Sequence, residues 1–246
     1  MRLNIVHPGA DELTYEIREV VEVGERLESM GVDMLWENIG DPVAKGEIVP
    51  DWIKAIINEH LNDNGGFGYS PTKGVLATRE FIAKERNKNG GVQITSDDIL
   101  FFNGLGDAIS KVYTNLNKNA RIIGPDPAYP THSSAEAAHA GAHHITYKLN
   151  PNRNWLPDLE DIRNKVKYNP YVAGILIINP DNPTGMVYPR KILEGIVDIA
   201  REFGLFIISD EIYHNLVYGD EKMTPLSEIL GDVPGIAMRG LSKEVP

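Results

Sequence analysis

The chain has 246 residues, of which 42% are hydrophobic and 24% charged, and these proportions exclude a disordered protein and fit a sizeable folded core. Its formal net charge of -11 argues against a broad nucleic-acid surface, because phosphate backbones need a basic face. With no cysteine, disulfide bonds and thiolate chemistry are excluded. There is no apolar run near the roughly 20 residues of a membrane span, and the first residues lack a signal-peptide core. We therefore expect a cytoplasmic protein with small-molecule partners.

The chain opens with an acidic helical pattern and then changes to alternating strands and helices. Residues 11–31 predict an amphipathic helix, residues 32–42 a short strand and turn, and residues 50–62 a second helix. Six runs that favour strands follow, most of them separated by helical spacing as in residues 188–204. These runs are residues 98–103, 121–126, 143–149, 174–180, 205–211 and 235–241. The alternation predicts an α/β fold with a mostly parallel sheet, helices on both faces and ligands at the carboxyl ends of the strands.

The first strand-end motif is NGLGDAIS, which begins at Asn103. Glycines allow backbone N–H groups to approach an anion closely, and a helix N-terminus adds its positive dipole, so a phosphate site is one interpretation. A second is a turn that binds nothing. A third is a nicotinamide dehydrogenase, because the motif half-matches G-x-G-x-x-G and Asp126 lies at about the spacing of a ribose-binding acid. Against it, Ile109 occupies the third glycine position and Pro127 follows Asp126 directly.

Three further motifs place polar side chains at later strand ends. NPDNPTG is turn-rich, and its interpretations are a plain rigid loop or a loop that holds the Asn182 amide toward a ligand. Asp210 ends the next apolar run, and a buried carboxylate needs a cationic partner from the protein or from a ligand. Lys243 follows the last run in the motif RGLSK. Taken singly, each is more often structural than catalytic.

Taken in order, these motifs resemble the fold-type I aminotransferases of class I/II, which use pyridoxal 5'-phosphate. The resemblance runs from NIGDP to the final residues, through GYSPTKG, NGLGDA, PAYP, NPDNPTG, SDEIY and GLSK. It implies that Lys243 forms the Schiff base with the cofactor, that Asp210 pairs with the pyridine nitrogen, and that Asn182 and Tyr213 bind the phenolic oxygen. The remaining roles that it implies are ring stacking by Tyr129, a phosphate cradle at Gly104, Leu105 and Gly106, phosphate contact in the neighbouring subunit by Tyr69, and substrate-carboxylate contact near Gly40.

The implied activity is amino transfer between an L-amino acid and a 2-oxo acid in a homodimer. Residues 1–50 are then part of a small domain, and residues 51–246 are a large cofactor domain that is incomplete at its C-terminus. We expect the chain to be part of a longer protein of about 400 residues. Gly240 replaces the phosphate-contacting serine that the family often has three positions before the lysine. The alternatives within the fold are a C–S lyase, a decarboxylase and a non-catalytic module that binds the cofactor.

Three other polar residues or groups carry weaker hypotheses. His139 and His143 have the spacing of metal ligands on a helix, but Gly141 interrupts that helix and no carboxylate or cysteine completes the set. We therefore predict surface histidines and no metal. Lys73 is predicted to lie in a turn, because the Walker pattern is absent. Arg239 either touches phosphate or faces solvent, and the sequence does not decide between the two.

Overall fold

The computed structural model describes residues 6–13, 16–38 and 40–245. Parts of two predictions lie outside these residues, namely positions 14–15 of the first helix and Ile39 of the predicted short strand. The described part of the chain contains six strands in one sheet. The strands are β1 (Arg121–Asp126), β2 (Ile145–Asn150), β3 (Leu156–Pro157), β4 (Val172–Ile178), β5 (Phe206–Asp210) and β6 (Gly235–Met238).

The described residues also contain eight α-helices. They are α1 (Glu16–Ser29), α2 (Asp51–Leu61), α3 (Leu76–Asn87), α4 (Leu105–Thr114), α5 (Pro130–Ala140), α6 (Leu159–Tyr168), α7 (Arg190–Phe203) and α8 (Leu226–Ile229). Short 3-10 turns lie at Pro8–Glu12, Asn64–Phe67, Ser96–Asp98 and Pro151–Arg153. The helix predictions for residues 11–31, 50–62 and 188–204 are thus confirmed by α1, α2 and α7.

The sheet has the order β3-β2-β1-β4-β5-β6, and every pair is parallel except β2 with β3. The mostly parallel sheet is therefore confirmed. Strand β4 shows why helices cover both faces, since nearly all of its apolar residues are buried. Ile175 and Ile177 pack into a cluster with the buried faces of α6 and α7, whereas Leu176 and Ile178 pack with α4 on the other face.

Two predicted strands are wrong. Residues 99–103 follow a 3-10 turn and form no strand, because no neighbouring strand pairs with them in the described residues. Phe101 and Phe102 accordingly remain 47% and 42% exposed. The described residues of 32–42 form only the start of a turn, and their backbone packs back on α1, where the Trp36 ring lies against Gly24 and its Nε1 donates to Glu28 at 3.2 Å.

The first turn of the chain, Pro8–Glu12, packs on α5, because a Cβ added at Gly9 would lie 1.9 Å from the Ala138 carbonyl oxygen. In contrast, α2 has no buried residue. The division of the chain near residue 50 stays a prediction. None of the helices in the described ranges combines the length and apolar character needed to cross a membrane.

Candidate active site

The carboxyl ends of β4, β5 and β6 lie side by side at one edge of the sheet, which we call the carboxyl edge. Ile178 is in register with Asp210, and Asp210 is in register with Met238. The ladder continues past the strands, because the Asn179 amide donates to the Asp210 carbonyl at 3.0 Å and the Glu211 amide donates to the Met238 carbonyl at 2.8 Å. The loops that carry Asn182, Tyr213 and Lys243 therefore begin next to one another.

Asp210 is buried at this edge, with 1% of its surface exposed. Its Oδ2 atom lies 3.0 Å from Nε2 of His132, which is fully buried in the first turn of α5, and its Oδ1 accepts from the Ile212 amide at 3.1 Å. Because a carboxylate only accepts hydrogen bonds, Nε2 is the protonated nitrogen of the imidazole when Asp210 is ionised. The protein thus supplies two hydrogen-bond donors to Asp210, and the cationic partner that the sequence predicted stays a prediction.

Sequence reasoning missed His132. Its only local signal is its position three residues after Tyr129, in the first turn of the helix that begins at Pro130. The rings of His132 and Tyr113 are arranged edge to face, with ring centroids 6.4 Å apart. Its Nδ1 atom is buried and has no hydrogen-bond partner in the described part of the chain. The imidazole is therefore held on one side by Asp210 and on another by an aromatic ring.

The loop after β4, which the motif NPDNPTG predicts to be rigid, is closed by hydrogen bonds among its own residues. Asp181 is buried, and its Oδ2 accepts from the Thr184 amide at 3.2 Å and from the Thr184 hydroxyl at 2.5 Å. The Gly185 amide, at a residue with φ of 71°, donates to the Asp181 carbonyl at 2.9 Å. Burial raises the pKa of Asp181, although the bonds from Thr184 oppose that shift. Asn182 lies within this loop and is half-buried.

The start of α4 presents an open surface. Gly104 has φ of 85° and precedes the helix without any side-chain cap. A Cβ added at Gly104 or at Gly106 would meet no atom within 4 Å. Leu105 packs instead against the apolar cluster under the sheet, which fixes the turn. The first backbone N–H groups of the helix are thus left accessible to an anion.

Lys243 lies in the turn that follows β6, and its side chain reaches toward Gly40. The Nζ atom is 3.4 Å from the Gly40 carbonyl oxygen, and a Cβ added at Gly40 would lie 3.5 Å from Nζ. The structure therefore brings together two residues that are 203 positions apart and that the sequence analysis had both selected. The lysine is partly exposed, so its amine remains open to a ligand.

The tyrosines selected from the sequence have different surroundings. Tyr129 directly precedes α5 and packs partly against the apolar cluster that contains Ile178. Tyr213 is half-buried in the turn after β5. Tyr69 is fully exposed, so it packs against none of the described residues. Within this chain, Tyr69 therefore makes no packing contact with the other site residues that were selected from the sequence.

Two polar bridges connect the loops after β5 and β6, and sequence reasoning found neither. Glu211 Oε2 accepts from Arg239 Nε at 2.7 Å, and Arg239 Nη2 lies 2.5 Å from the same oxygen. Burial raises the pKa of Glu211 to about 7, while hydrogen bonds from the Leu226 amide and the Ser209 hydroxyl and the charge of Arg86 oppose that shift. Glu244 accepts from the Asn215 amide at 3.0 Å and from Asn215 Nδ2 at 2.6 Å. Arg239 is therefore held by a carboxylate and does not simply face solvent.

The two histidines and Lys73, which carried the weaker hypotheses, have different surroundings. His139 lies in α5, with Nε2 3.1 Å from the carbonyl oxygens of Asn117 and Ala120, whereas His143 lies beyond Gly141, where the helix has ended. In the described ranges, no cluster of three histidine or acidic side chains is placed to hold a metal ion. Lys73 lies in a turn, as predicted, and pairs with Asp97 at 3.0 Å.

A sequence profile described as "Aminotransferase class I and II" matches residues 33–245. The chain belongs to this family. Members of the class I and II aminotransferases use pyridoxal phosphate, as the resemblance had implied. Membership of the aminotransferase family does not favour the nicotinamide dehydrogenase alternative. In addition, no strand precedes Gly104 in the described residues, so the βα unit that a dinucleotide fingerprint needs is missing.

Relatives and solved structures of aminotransferases agree with this assignment. An "Uncharacterized aminotransferase" of Methanocaldococcus jannaschii is 58% identical over all of this chain and 57% of its own length. The glutamate-pyruvate aminotransferase of Escherichia coli K12 is 34% identical over 95% of this chain and 57% of its own length.

Among solved structures, an aminotransferase from Escherichia coli superimposes with a TM-score of 0.87 at 32% identity, covering 100% of this chain and 60% of the other. The alanine aminotransferase of Pyrococcus furiosus gives a TM-score of 0.84 at 32% identity, covering 98% of this chain and 60% of the other. The chain thus spans a little under two thirds of the length of the aminotransferases it matches, and shares their fold.

Proposed function

We propose that the protein is a pyridoxal-phosphate-dependent aminotransferase that moves an amino group between an L-amino acid and a 2-oxo acid. The observation that carries the proposal is that Asp210 ends β5 at the carboxyl edge, while Tyr213 and Lys243 lie on the adjacent loops that follow β5 and β6. When bound, the cofactor supplies an electron-accepting ring that stabilises the substrate carbon after its Cα proton leaves. The remaining chemistry falls to the side chains of the protein.

The residues at the carboxyl edge fit this cofactor. The buried carboxylate of Asp210, fixed by His132 and the Ile212 amide, is suited to keep a pyridine nitrogen protonated. The open turn at Gly104 and Gly106, with the accessible N–H groups of Leu105 and its neighbours, is suited to the phosphate. Tyr129 is placed beside the start of α5, where we assign it to the face of the ring.

Lys243 performs two tasks in this proposal. Its amine would hold the cofactor in place until a substrate amine replaces it. The free amine would then hold and move the proton that leaves the substrate Cα. Asn182 and Tyr213 orient the cofactor by hydrogen bonds to its phenolic oxygen. Gly40, beside the Lys243 amine, borders the place of the substrate carboxylate.

A homodimer forms part of the proposal. Tyr69 is fully exposed, and α2 buries none of its residues, although Trp52, Ile56 and Ile57 are apolar and 63%, 47% and 52% exposed. An apolar helix face of this kind is suited to burial against a second copy. Tyr69 would then reach the phosphate site of the partner subunit. The cytoplasmic location stays a prediction.

Relatives suggest the first substrates to test. The E. coli relative is named glutamate-pyruvate aminotransferase, and a relative from Mycobacterium tuberculosis, 33% identical over 94% of this chain, is named alanine aminotransferase. We propose L-alanine and L-glutamate as amino donors, with 2-oxoglutarate and pyruvate as the matching acceptors.

The decisive assay follows nitrogen from a labelled donor. The full-length protein with pyridoxal phosphate is mixed with ¹⁵N-labelled L-alanine and 2-oxoglutarate, and we expect the label in glutamate with an equal amount of pyruvate. Lys243→Ala should abolish transfer, whereas the exposed control Lys222→Ala should leave it intact. Release of the label as ammonia would indicate a lyase, and loss of CO₂ a decarboxylase. Cofactor binding with none of these products across a panel of amino donors would indicate a non-catalytic module.

Mixing two inactive variants tests the dimer. Tyr69→Ala damages the site of the partner subunit, whereas Lys243→Ala damages the site of its own subunit. Subunit exchange should therefore create one intact site in each mixed dimer and restore about one quarter of wild-type activity. Failure to restore activity, in a mixture shown to contain mixed dimers, would contradict the shared site.

A further inference from the structure

The loops after β5 and β6 are joined at two places by the bridges described above. The first is the pair of Glu211 with Arg239, and the second is the pair of Asn215 with Glu244. In each bridge a carboxylate meets two nitrogens of one residue of the other loop. Glu211 Oε2 contacts both Nε and Nη2 of Arg239, and the two oxygens of Glu244 accept from the backbone and side-chain nitrogens of Asn215. A two-point contact fixes direction as well as distance, which a single bond does not.

The bridges lie on either side of the two functional residues. Glu211 and Asn215 stand two residues before and two residues after Tyr213. Arg239 stands four residues before Lys243, and Glu244 follows Lys243 directly. Each functional residue is therefore held from both sides by a contact to the loop of the other.

One bridge is anchored in the core and the other lies at the surface. Glu211 is 1% exposed and also accepts from the Leu226 amide at 2.7 Å and from the Ser209 hydroxyl at 3.2 Å. The contacts of Glu244 with Asn215 are exposed. The loops are thus fixed to the sheet at Glu211, while Glu244 determines how their outer parts meet.

We propose that Arg239 and Glu244 are positioning residues that set the placement of the Lys243 amine relative to the Tyr213 hydroxyl by tying the two loops together. The inference rests on the proposed function, because the two groups act on the same cofactor. Neither Arg239 nor Glu244 needs to touch the reacting atoms. Catalysis depends on placement at the scale of about 1 Å, so loosening the loops lowers the rate without removing a reacting group.

The test uses the surface bridge, because its variants keep the buried pair and the fold. Glu244→Gln keeps one accepting oxygen and Asn215→Ala removes the side-chain donor, and both are compared with wild type in the full-length protein with pyridoxal phosphate. The matched control is Glu136→Gln, which breaks the pair with Arg121 at the start of β1, at the opposite end of the sheet. The readouts are hydrogen exchange of residues 211–216 and 239–245, the pH midpoint of the absorption change of the bound cofactor, kcat and KM.

We expect both bridge variants to speed exchange in both loops and to shift the pH midpoint. Their kcat should fall about tenfold, with a smaller change in KM, and the double variant should be little worse than either single one. Unchanged hydrogen exchange would show that the Asn215–Glu244 bridge does not restrain the two loops. Faster exchange with an unchanged pH midpoint and kcat would show that the bridge does not set the position of the Lys243 amine. An equal midpoint shift in Glu136→Gln would also overturn the proposal. If the wild type forms no covalent adduct at Lys243, the proposed function fails first and the inference fails with it.

Discussion

Two buried pairs of arginine and glutamate lie at opposite ends of the sheet, and their surroundings differ. At the amino edge, Glu136 of α5 accepts from Arg121 at 2.6 and 3.0 Å, and Arg121 also donates to the His143 carbonyl at 2.7 Å. At the carboxyl edge, Glu211 holds Arg239 through the single oxygen Oε2, and Arg239 keeps a buried Nη1 without a partner in the described residues. The Arg121–Glu136 pair joins α5 to β1, whereas the Arg239–Glu211 pair lies beside the residues with proposed chemical roles.

The unsatisfied polar atoms show the same contrast. All the buried side-chain atoms found without a hydrogen-bond partner in the described part of the chain belong to residues at or just beyond the carboxyl edge. They are His132 Nδ1, Asn179 Nδ2, Asp181 Oδ1, the Tyr188 hydroxyl and Arg239 Nη1. Such atoms cost stability, and their concentration at one edge is typical of a site built for function. The comparison teaches that one edge stabilises the fold and the other holds the residues that we propose for catalysis.

The largest expected effects come from exchanging one carboxylate at each edge. Asp210→Asn should lower activity by about 10²–10⁴-fold, because the amide cannot hold the proton on the ring nitrogen, while thermal stability changes little. Glu136→Gln should do the opposite, with about 2–3 kcal/mol lost from the free energy of unfolding and activity within about threefold. Denaturant unfolding and steady-state kinetics on both variants check this. The contrast between the two edges would be wrong if both variants lost activity, or both lost stability, to the same extent.

A smaller effect is expected from two glycines with positive φ. Gly104 at the carboxyl edge and Gly204 at the end of α7 have φ of 85° and 67°, and an added Cβ would meet no atom within 4 Å at either. Alanine at either position should cost about 1–2 kcal/mol, because the left-handed conformation disfavours a side chain. Only Gly104→Ala should also weaken pyridoxal phosphate binding, by about tenfold, since its methyl group occupies the proposed phosphate site. If Gly104→Ala and wild type bound pyridoxal phosphate with equal affinity in a titration, Gly104 would not be part of the phosphate site.

The smallest expected effect concerns Asp181 and pH. Because burial raises its pKa in the folded state, the folded protein binds this proton more tightly, and the associated stability is lost as pH rises through the folded pKa. Asp181→Asn keeps an oxygen for Thr184 and removes this titration. The variant should therefore gain stability relative to wild type, by less than about 1 kcal/mol, as pH rises from about 4 to 7. A variant that loses stability over this range would contradict the sign.

Much of the sheet could be predicted because most of its strands are recognised from residues that are neighbours in the sequence. The apolar runs that end at Ile178, Asp210 and Met238 are read directly from neighbouring residues, and parallel strands bring their ends together. The strand predicted at residues 99–103 failed because a strand also needs a paired neighbour, which its own sequence does not supply. The two-residue strand β3 is too short to produce any alternating pattern.

The contacts that organise the site were missed because they join distant residues. His132 and Asp210 are 78 positions apart, Glu211 and Arg239 are 28 apart, and Asn215 and Glu244 are 29 apart. A single sequence marks each of these residues as polar but does not show which of them meet. The motif order supplied Lys243 and Asp210, whereas the side chains that hold them in place required the fold.

The most direct test of the central claim is to locate the covalent bond between protein and cofactor. The full-length protein is incubated with pyridoxal phosphate, reduced with borohydride and digested, and the modified peptide is sequenced by mass spectrometry. The account predicts one stoichiometric modification, at Lys243, which is prevented in Lys243→Ala but not in the exposed control Lys222→Ala. Stoichiometric modification of another lysine, or none in a folded protein saturated with cofactor, would contradict the assignment of the carboxyl edge as the active site.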